Sequence, residues 1–258
     1  MKTIINNIEI VDTDLKDLDI AEPIGASNPP LLAPNKSILT NTEVNEVTKH
    51  TLQPSDFKVD WQAKLSDEQL DKLSLDGWII IDEIFANKAL IALQNESGFI
   101  DYRDAQLTAG VRLSHIRGDK IRWINDNFLA GCYYLQSIDQ LSSSLNRALY
   151  TGIRHVEAHY ACYPLGFGYQ WHSDNPVGRD ERVISAVFYL NDDWSADDGG
   201  AVEIIDNYGV HHEVMPVANR LIIFNSNLQH QVQTAHRQRY SIATWMRRDG
   251  LVPFIEES

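Results

Sequence analysis

Cysteine and basic residues are both scarce in this 258-residue chain. Cys132 and Cys162 are the two cysteines, which leaves no disulfide framework and favours a reducing, cytoplasmic location. The 22 Lys and Arg residues against 36 Asp and Glu give a formal net charge of −14. We therefore expect no nucleic-acid partner, because binding to a phosphate backbone depends on basic residues. No apolar run reaches membrane-spanning length and no apolar leader opens the sequence, so no membrane partner is expected either.

The composition divides the chain near residue 56. Residues 1–56 contain an acidic stretch and, between residues 22 and 34, four prolines. Few apolar side chains are available there to form a core, so we expect a flexible or loosely docked N-terminal segment. Residues 57–258 are predicted to form one domain, since a chain with 43% hydrophobic residues is rich enough to fill a single large core.

Local patterns predict helices ahead of a strand-rich region. Ser66 to Gln69 has the pattern of a capping box, and Gly77 is expected to end the helix that begins there. Leucines at positions 65, 70, 73 and 75 predict an apolar stripe along that helix. The other predicted elements are a strand at 78–81, helices at 89–94 and 139–150, and strands at 155–163 and 183–190.

Two histidines and an aspartate have the composition of a metal site. His172 and Asp174 stand two residues apart, and His230 follows later in the chain. Two imidazoles and one carboxylate suit a divalent first-row metal and, with open positions, are typical of non-haem Fe(II) oxygenases. Residues i and i+2 of an extended strand point to the same face, so both side chains would reach one ion. The His-x-Asp pattern alone also fits two solvated loop residues, and the spacing leaves both interpretations open.

Arg239 adds a second element to the same pattern. It opens an alternating run that places Arg239, Ser241, Ala243 and Trp245 on one face of a predicted strand. A guanidinium on a metal-facing strand is suited to bidentate binding of a carboxylate. The metal ligands lie at the edges of strand-like runs, which is where a β-barrel places residues at its mouth.

Five blocks of residues, spread over roughly residues 70–248, occur in the order found in a known family. The blocks are Ile116–Trp123, Ala161–Pro164, His172–Pro176, Phe188–Trp194 and Arg239–Ile242. They resemble the prolyl hydroxylases that act on hypoxia-inducible factor. The resemblance implies an α+β fold, a double-stranded β-helix (a jelly-roll or cupin-like barrel) with supporting N-terminal helices.

The resemblance also implies roles for individual residues. His172, Asp174 and His230 would bind Fe(II), and Arg239 would bind the distal carboxylate of 2-oxoglutarate together with Tyr189. His172, Asp174, His230 and Arg239 form the implied catalytic set. Tyr163 would bind the cosubstrate near the iron. The residues expected to line the substrate groove beside the iron are Arg117, Asp119, Trp123 and Arg182.

The function implied by the resemblance is hydroxylation of a prolyl residue at carbon 4 in a protein, with Fe(II), 2-oxoglutarate and O2. Ascorbate is a further candidate cofactor. Bacterial members act on elongation factor Tu, which ranks first among the expected targets. The alternatives are hydroxylation of a free amino acid or small peptide, a hydrolytic zinc enzyme that would need no Arg239, and a non-catalytic metal- or sugar-binding barrel.

Overall fold

The computed structural model describes residues 52–105, 116–175 and 179–249. Short 3₁₀ turns lie at Pro54–Phe57 and Ala196–Asp198. None of the helices in these described ranges combines the length and hydrophobicity that a membrane span requires. The α-helices formed by the described residues are α1 (Trp61–Lys64), α2 (Asp67–Leu75), α3 (Asn87–Phe99) and α4 (Leu129–Leu149).

Two antiparallel sheets contain the strands of the described residues. The larger sheet has the order β1-β9-β6-β11-β4-β3-β2, and the smaller has the order β5-β10-β7-β8. The strands are β1 (Trp78–Ile81), β2 (Arg103–Asp104), β3 (Lys120–Trp123), β4 (His155–Tyr163), β5 (Tyr169–His172), β6 (Arg182–Tyr189), β7 (Val202–Ile205), β8 (His211–Val214), β9 (Leu221–Asn225), β10 (His230–Val232) and β11 (Arg239–Arg247).

The start and end of α2 follow the local sequence. The Ser66 hydroxyl accepts a hydrogen bond from the Gln69 backbone N–H, and the Gln69 side chain accepts one from the Ser66 N–H, so the predicted capping box is confirmed. Gly77 follows the helix with φ +88, a conformation that glycine adopts without strain. The predicted apolar stripe differs at two positions, because Leu65 precedes the helix and Leu75 is 60% exposed.

Helix α4 supplies much of the core but starts ten residues before its predicted first residue. Its buried positions include Tyr134, Ile138, Leu141 and Leu145, which recur at helical spacing and so form one apolar face. Phe128, at the N-cap, provides no side-chain cap. The Glu96 carboxylate instead accepts hydrogen bonds from the first-turn N–H groups of Ala130 and Gly131, at 3.0 and 2.8 Å. A residue distant in sequence therefore decides where this helix begins.

Strand β11 runs between β4 and β6 in the larger sheet and fixes which side chains share a face. Ser241 pairs with Ala161 on β4 and with Tyr189 on β6. In the smaller sheet, His230 at the start of β10 pairs with His172 at the end of β5. One hydrophobic cluster contains Tyr189 and Phe224 from the larger sheet and Val202 and Ile204 from the smaller, so the two sheets pack against each other.

The predicted boundary near residue 56 falls inside the 3₁₀ turn Pro54–Phe57, where the Phe57 side chain is buried. The first 51 residues lie outside the described residues. The division of the chain into an N-terminal segment and a single domain stays a prediction.

Candidate active site

The structure brings His172, Asp174 and His230 together. Their candidate ligand atoms all lie within 4.8 Å of one another, and no other such group of His, Cys, Asp and Glu occurs in the described ranges. Asp174 Oδ1 lies 4.0 Å from His172 Nε2, and Asp174 Oδ2 lies 3.8 Å from His230 Nε2. The two imidazole rings are 4.2 Å apart between centroids, in keeping with the pairing of β5 with β10.

Asp174 reaches the two histidines for a different reason from the one that the spacing predicts. Strand β5 ends at His172, and Asp174 lies in the bend that follows, so strand alternation does not carry it to the shared face. Its backbone N–H donates to the Ser226 carbonyl at 3.0 Å, and its carboxylate accepts from the Ser185 hydroxyl at 2.5 Å. Contacts with β6 and with the loop after β9 therefore position this carboxylate.

Backbone contacts orient both imidazoles in the same way. His172 Nδ1 lies 2.7 Å from the Gln170 carbonyl oxygen, and His230 Nδ1 lies 3.0 Å from the Leu228 carbonyl oxygen. Because a carbonyl only accepts, each Nδ1 carries a proton, and this tautomer of a neutral imidazole has its lone pair on Nε2. Burial, with the nearby His230, lowers the pKa of His172 to about 4. The two imidazoles thus present Nε2 towards the same carboxylate.

The Asp174 carboxylate is held in its charged form. Burial acts to raise its pKa, but His230, His172 and the Ser185 hydroxyl outweigh this effect and lower the pKa below the ordinary value of 3.8. The candidate donor set is therefore two imidazole nitrogens and one charged carboxylate.

Arg239 is a buried cation without a carboxylate partner among the described residues. Its side chain is 1% exposed; Nε donates to the Gly200 carbonyl at 2.8 Å, and Nη1 donates to the Ser241 hydroxyl at 3.1 Å. A buried charge is costly unless it is paired, so this guanidinium is suited to bind an anion. Gly200 has φ +66, and an added Cβ would lie 3.0 Å from Arg239 Cδ. A larger residue at position 200 would therefore crowd the arginine side chain.

Two tyrosines flank this guanidinium. The Arg239 guanidinium carbon lies 5.0 Å from the Tyr163 ring centroid and 5.2 Å from that of Tyr189. The Tyr189 hydroxyl is fully buried and forms no regular hydrogen bond within the described part of the chain. Burial raises the pKa of Tyr189 to about 12, and that of Tyr163 well above 10.0, so both hydroxyls are protonated at neutral pH. Tyr189 therefore has a free donor beside the arginine.

One cavity of about 950 Å³ joins these features. The histidines, Asp174, Arg239 and Tyr163 all line it, and its walls come from both sheets. A volume of this size accommodates a small cosubstrate with part of a second molecule, since small-molecule sites measure roughly 300–1,000 Å³. A metal-ligand set and an anion-binding guanidinium thus open into the same space.

A solved structure decides the family. The crystal structure of a prolyl-4-hydroxylase from Pseudomonas putida is 35% identical in sequence to this chain and superposes on it with a TM-score of 0.64. The aligned region covers 70% of this chain and 97% of the Pseudomonas putida chain. The chain belongs to the 2OG-Fe(II) oxygenase superfamily. The family model with that description matches residues 158–247, which include the three candidate metal ligands and Arg239.

Animal relatives support the same assignment. The structure of a Trichoplax adhaerens prolyl hydroxylase in complex with a hypoxia-inducible factor peptide is 29% identical, with a TM-score of 0.68, over 75% of this chain and 96% of that one. "Prolyl hydroxylase EGLN3" from Mus musculus is 38% identical over 160 residues, and the match spans 55% of this chain and 65% of that protein's length. The structural relatives confirm the expected α+β fold, a double-stranded β-helix with supporting helices.

The residues of this oxygenase fit the metal and the cosubstrate of its family. The family uses Fe(II), 2-oxoglutarate and O2. Two Nε2 lone pairs and a charged carboxylate suit Fe(II), which prefers imidazole and carboxylate ligands of this kind. A dicarboxylate in the cavity would supply the anion that Arg239 lacks and an acceptor for the unpartnered Tyr189 hydroxyl.

The four predicted groove residues of the oxygenase also line the cavity. Arg117 forms a bidentate ion pair with Asp119, with N–O distances of 2.8 and 3.1 Å. Trp123 lies 5.9 Å from the Trp245 ring, and the Arg182 guanidinium stacks 4.0 Å from that same ring. Arg182 Nη1 also donates to the Asp174 carbonyl at 3.2 Å, so this residue connects the groove to a metal-ligand segment. A role in substrate binding stays a prediction for all four.

Several cavity residues of the oxygenase were missed by sequence reasoning. Ser185 and Ser241 contact Asp174 and Arg239, respectively, and Tyr169 stacks on His172 with ring centroids 3.6 Å apart. Alternation places Ser185 on the strand face of Tyr189 and Ser241 on that of Arg239, but it does not show which groups the two hydroxyls contact. Tyr169 had no comparable signal, since it pairs with Val232 across an irregular register between β5 and β10 that no local pattern predicts.

Proposed function

We propose that this protein is a 2-oxoglutarate- and Fe(II)-dependent dioxygenase that hydroxylates a prolyl residue of a protein substrate at carbon 4. The observation that carries the proposal is the shared cavity, where a His–Asp–His set and a buried arginine without a carboxylate partner among the described residues face the same space. A hydrolytic metal enzyme has no need for that arginine. The bacterial and animal prolyl hydroxylases that this chain resembles support the choice of a prolyl target.

In this proposal, His172, Asp174 and His230 hold the iron, and Arg239 with Tyr189 binds the distal carboxylate of 2-oxoglutarate. When bound, iron, 2-oxoglutarate and O2 supply an oxidation that converts a C–H bond of the substrate to C–OH, with release of succinate and carbon dioxide. The chain supplies position and exclusion of water. The backbone carbonyls of Gln170 and Leu228 hold the imidazoles in the tautomer that presents Nε2.

Tyr163 and Gly200 complete the proposed cosubstrate pocket. Tyr163 lies on β4 beside the Arg239 guanidinium, and its protonated hydroxyl is suited to donate to a bound oxygen atom. The Gly200 carbonyl fixes the arginine side chain at Nε, which leaves the outer edge of the fork for a carboxylate. The anion-binding end of the pocket is thus held rigid before the cosubstrate enters.

The substrate assigned by this proposal is a proline-containing segment that enters beside Trp123 and Arg182. The structure of the Trichoplax relative is a complex with a peptide of hypoxia-inducible factor, which supports an extended peptide as the ligand. Elongation factor Tu is the first protein to test, on the basis of the resemblance to bacterial members of the family. A cytoplasmic location agrees with that target and stays a prediction, as does a use of ascorbate.

The decisive experiment is reconstitution under anaerobic conditions with Fe(II) and 2-oxoglutarate, followed by admission of air. We expect succinate release that rises when elongation factor Tu is added, with a gain of one oxygen atom on a single tryptic peptide that contains proline. Turnover of free proline or short peptides alone would favour the small-substrate alternative. Absence of 2-oxoglutarate binding to the metal-loaded protein would refute the proposal.

Two substitutions separate the proposed roles. His172→Ala is expected to abolish metal binding. Arg239→Ala should bind the metal but not 2-oxoglutarate, because the guanidinium donates to Gly200 and Ser241 and not to a proposed metal ligand. Both are measured by calorimetric titration without oxygen. Arg147→Ala is the matched control, since this exposed arginine on α4 contacts Ser144 and lies outside the cavity. Normal 2-oxoglutarate binding by Arg239→Ala would refute the assignment of that residue.

A further inference from the structure

We propose that the hydroxyls of Ser226 and Ser185 form a positioning relay that orients the Asp174 carboxylate and leaves Oδ1 as its metal-binding oxygen. The inference rests on the proposed function, because it concerns the metal site of that function. Ser185 and Ser226 act through Asp174 and are positioning residues.

The relay is a chain of two short hydrogen bonds. The Ser185 hydroxyl donates to Asp174 Oδ2 at 2.5 Å, and the hydroxyls of Ser185 and Ser226 lie 2.8 Å apart. An ionised carboxylate only accepts, so the Ser185 proton is committed to Asp174 and Ser226 must donate to Ser185. Hydrogen bonds to a charged acceptor are shorter and stronger than neutral ones, and successive bonds in one direction strengthen each other.

The relay is shielded from solvent. Ser226 is 0% exposed and Ser185 is 2% exposed, so water competes poorly for either hydroxyl. Ser185 lies on β6, and Ser226 follows β9, the strand paired with β6. The two serines are therefore held by the larger sheet, while the carboxylate that they orient belongs to the segment after β5.

Ser226 contacts Asp174 through its backbone as well. The Asp174 N–H donates to the Ser226 carbonyl at 3.0 Å, so this residue fixes the main chain of the aspartate and, through Ser185, one side-chain oxygen. Ser226 also lies in the segment that leads to His230. The relay thereby joins the segments that carry two of the proposed metal ligands.

The two carboxylate oxygens have different surroundings as a result. Oδ2 accepts from Ser185, whereas no donor in the described part of the chain reaches Oδ1. An oxygen that already accepts a short hydrogen bond is a poorer metal ligand, and its bond resists rotation of the carboxylate. The relay thus favours binding of the metal through one oxygen, which leaves more positions on the metal for other ligands.

Loss of the Ser185 hydroxyl is expected to weaken Co²⁺ binding about tenfold to a hundredfold, the usual effect of removing a group that orients a metal ligand. Co²⁺ is the probe because it takes the same ligands as Fe(II) and its visible spectrum reports coordination. The test measures the Co²⁺ dissociation constant and the spectrum of wild type, Ser185→Ala, Ser185→Thr and Ser226→Ala, without cosubstrate or turnover. Ser185→Thr keeps the hydroxyl and should restore both readouts, and Ser226→Ala should show a smaller loss than Ser185→Ala.

Ser137→Ala controls for the loss of a buried hydroxyl, because Ser137 is 2% exposed on α4 and its hydroxyl has no partner in the described residues. We expect this variant to bind Co²⁺ as wild type does. Metal-free thermal unfolding of each variant separates a loss of fold from a loss of affinity. Unchanged or tighter binding by a folded Ser185→Ala with an unchanged spectrum would overturn the relay and leave the proposed function standing. Failure of wild type to bind Co²⁺ would overturn both.

Discussion

The Tyr189→Phe substitution is expected to stabilise the ligand-free protein and to weaken 2-oxoglutarate binding. The Tyr189 hydroxyl is fully buried and has no regular hydrogen-bond partner in the described residues. A buried polar group without a partner costs about 1–3 kcal/mol, so its removal should raise the free energy of unfolding by about 1 kcal/mol. For a domain of this size, that change raises the melting temperature by roughly 2–4 °C.

The Tyr189 hydroxyl destabilises the ligand-free protein but should strengthen 2-oxoglutarate binding. With a pKa of about 12, Tyr189 keeps its proton at neutral pH and can donate to the carboxylate beside Arg239. A hydrogen bond to a charged group contributes about 1.5–3 kcal/mol, so its loss should weaken 2-oxoglutarate binding about tenfold to a hundredfold. The assay is thermal unfolding without ligand, together with anaerobic calorimetric titration of 2-oxoglutarate into the Mn²⁺-loaded protein.

Tyr134→Phe is the matched control. Tyr134 is also fully buried, but its hydroxyl bonds to the Thr244 hydroxyl at 2.8 Å. Its loss leaves Thr244 without that partner, so this variant should lose about 1–2 kcal/mol of unfolding free energy and bind 2-oxoglutarate as wild type does. The reasoning is refuted if Tyr189→Phe binds the cosubstrate normally, or if both variants destabilise the ligand-free protein equally.

Two further substitutions test the surroundings of the cavity. Gly200→Ala should weaken 2-oxoglutarate binding by about tenfold or more, because the new Cβ would displace Arg239; Gly209→Ala, with φ +82 and no atom within 4 Å, controls for backbone strain alone and should leave affinity unchanged. His159 is buried, which lowers its pKa from 6.5 to about 4, so the unfolded chain takes up the proton first and stability falls as the pH decreases. Between about pH 7 and pH 5 this histidine should account for a loss of about 2 kcal/mol in denaturant unfolding, and His159→Gln should show a correspondingly flatter pH dependence; equal slopes would exclude the effect.

Sequence alternation was sufficient to predict three of the strands that line the site, although not β5 and β10, which carry His172 and His230. The predicted strand at 155–163 is confirmed at both ends as β4, and the strand predicted at 183–190 differs from β6, Arg182–Tyr189, by one residue at each end. The strand predicted from Arg239 is confirmed as β11, which continues to Arg247. Arg239 and Ser241 share a face because the side-chain period of a strand is a property of a few consecutive residues.

Local sequence patterns predict the start of one helix but not that of another. The capping box at Ser66 begins α2 as predicted, since both partners lie within one turn. Helix α4 begins at Leu129 because Glu96 accepts hydrogen bonds from its first N–H groups, and no pattern near residue 129 contains that information. The exposed Leu75 is a similar case, because burial depends on what packs against the helix end.

By itself, the sequence determined the residue types, their strand faces and a resemblance strong enough to name the chemistry to be tested. Only the tertiary structure decided that Asp174 lies near the histidines from a bend, where Ser226 and Ser185 hold it by hydrogen bonds. It also decided that the Arg239 side chain packs against Gly200, where a Cβ would crowd it. The physical reason is that these contacts join segments far apart in the chain. Their geometry depends on strand order and register, which no short-range pattern specifies.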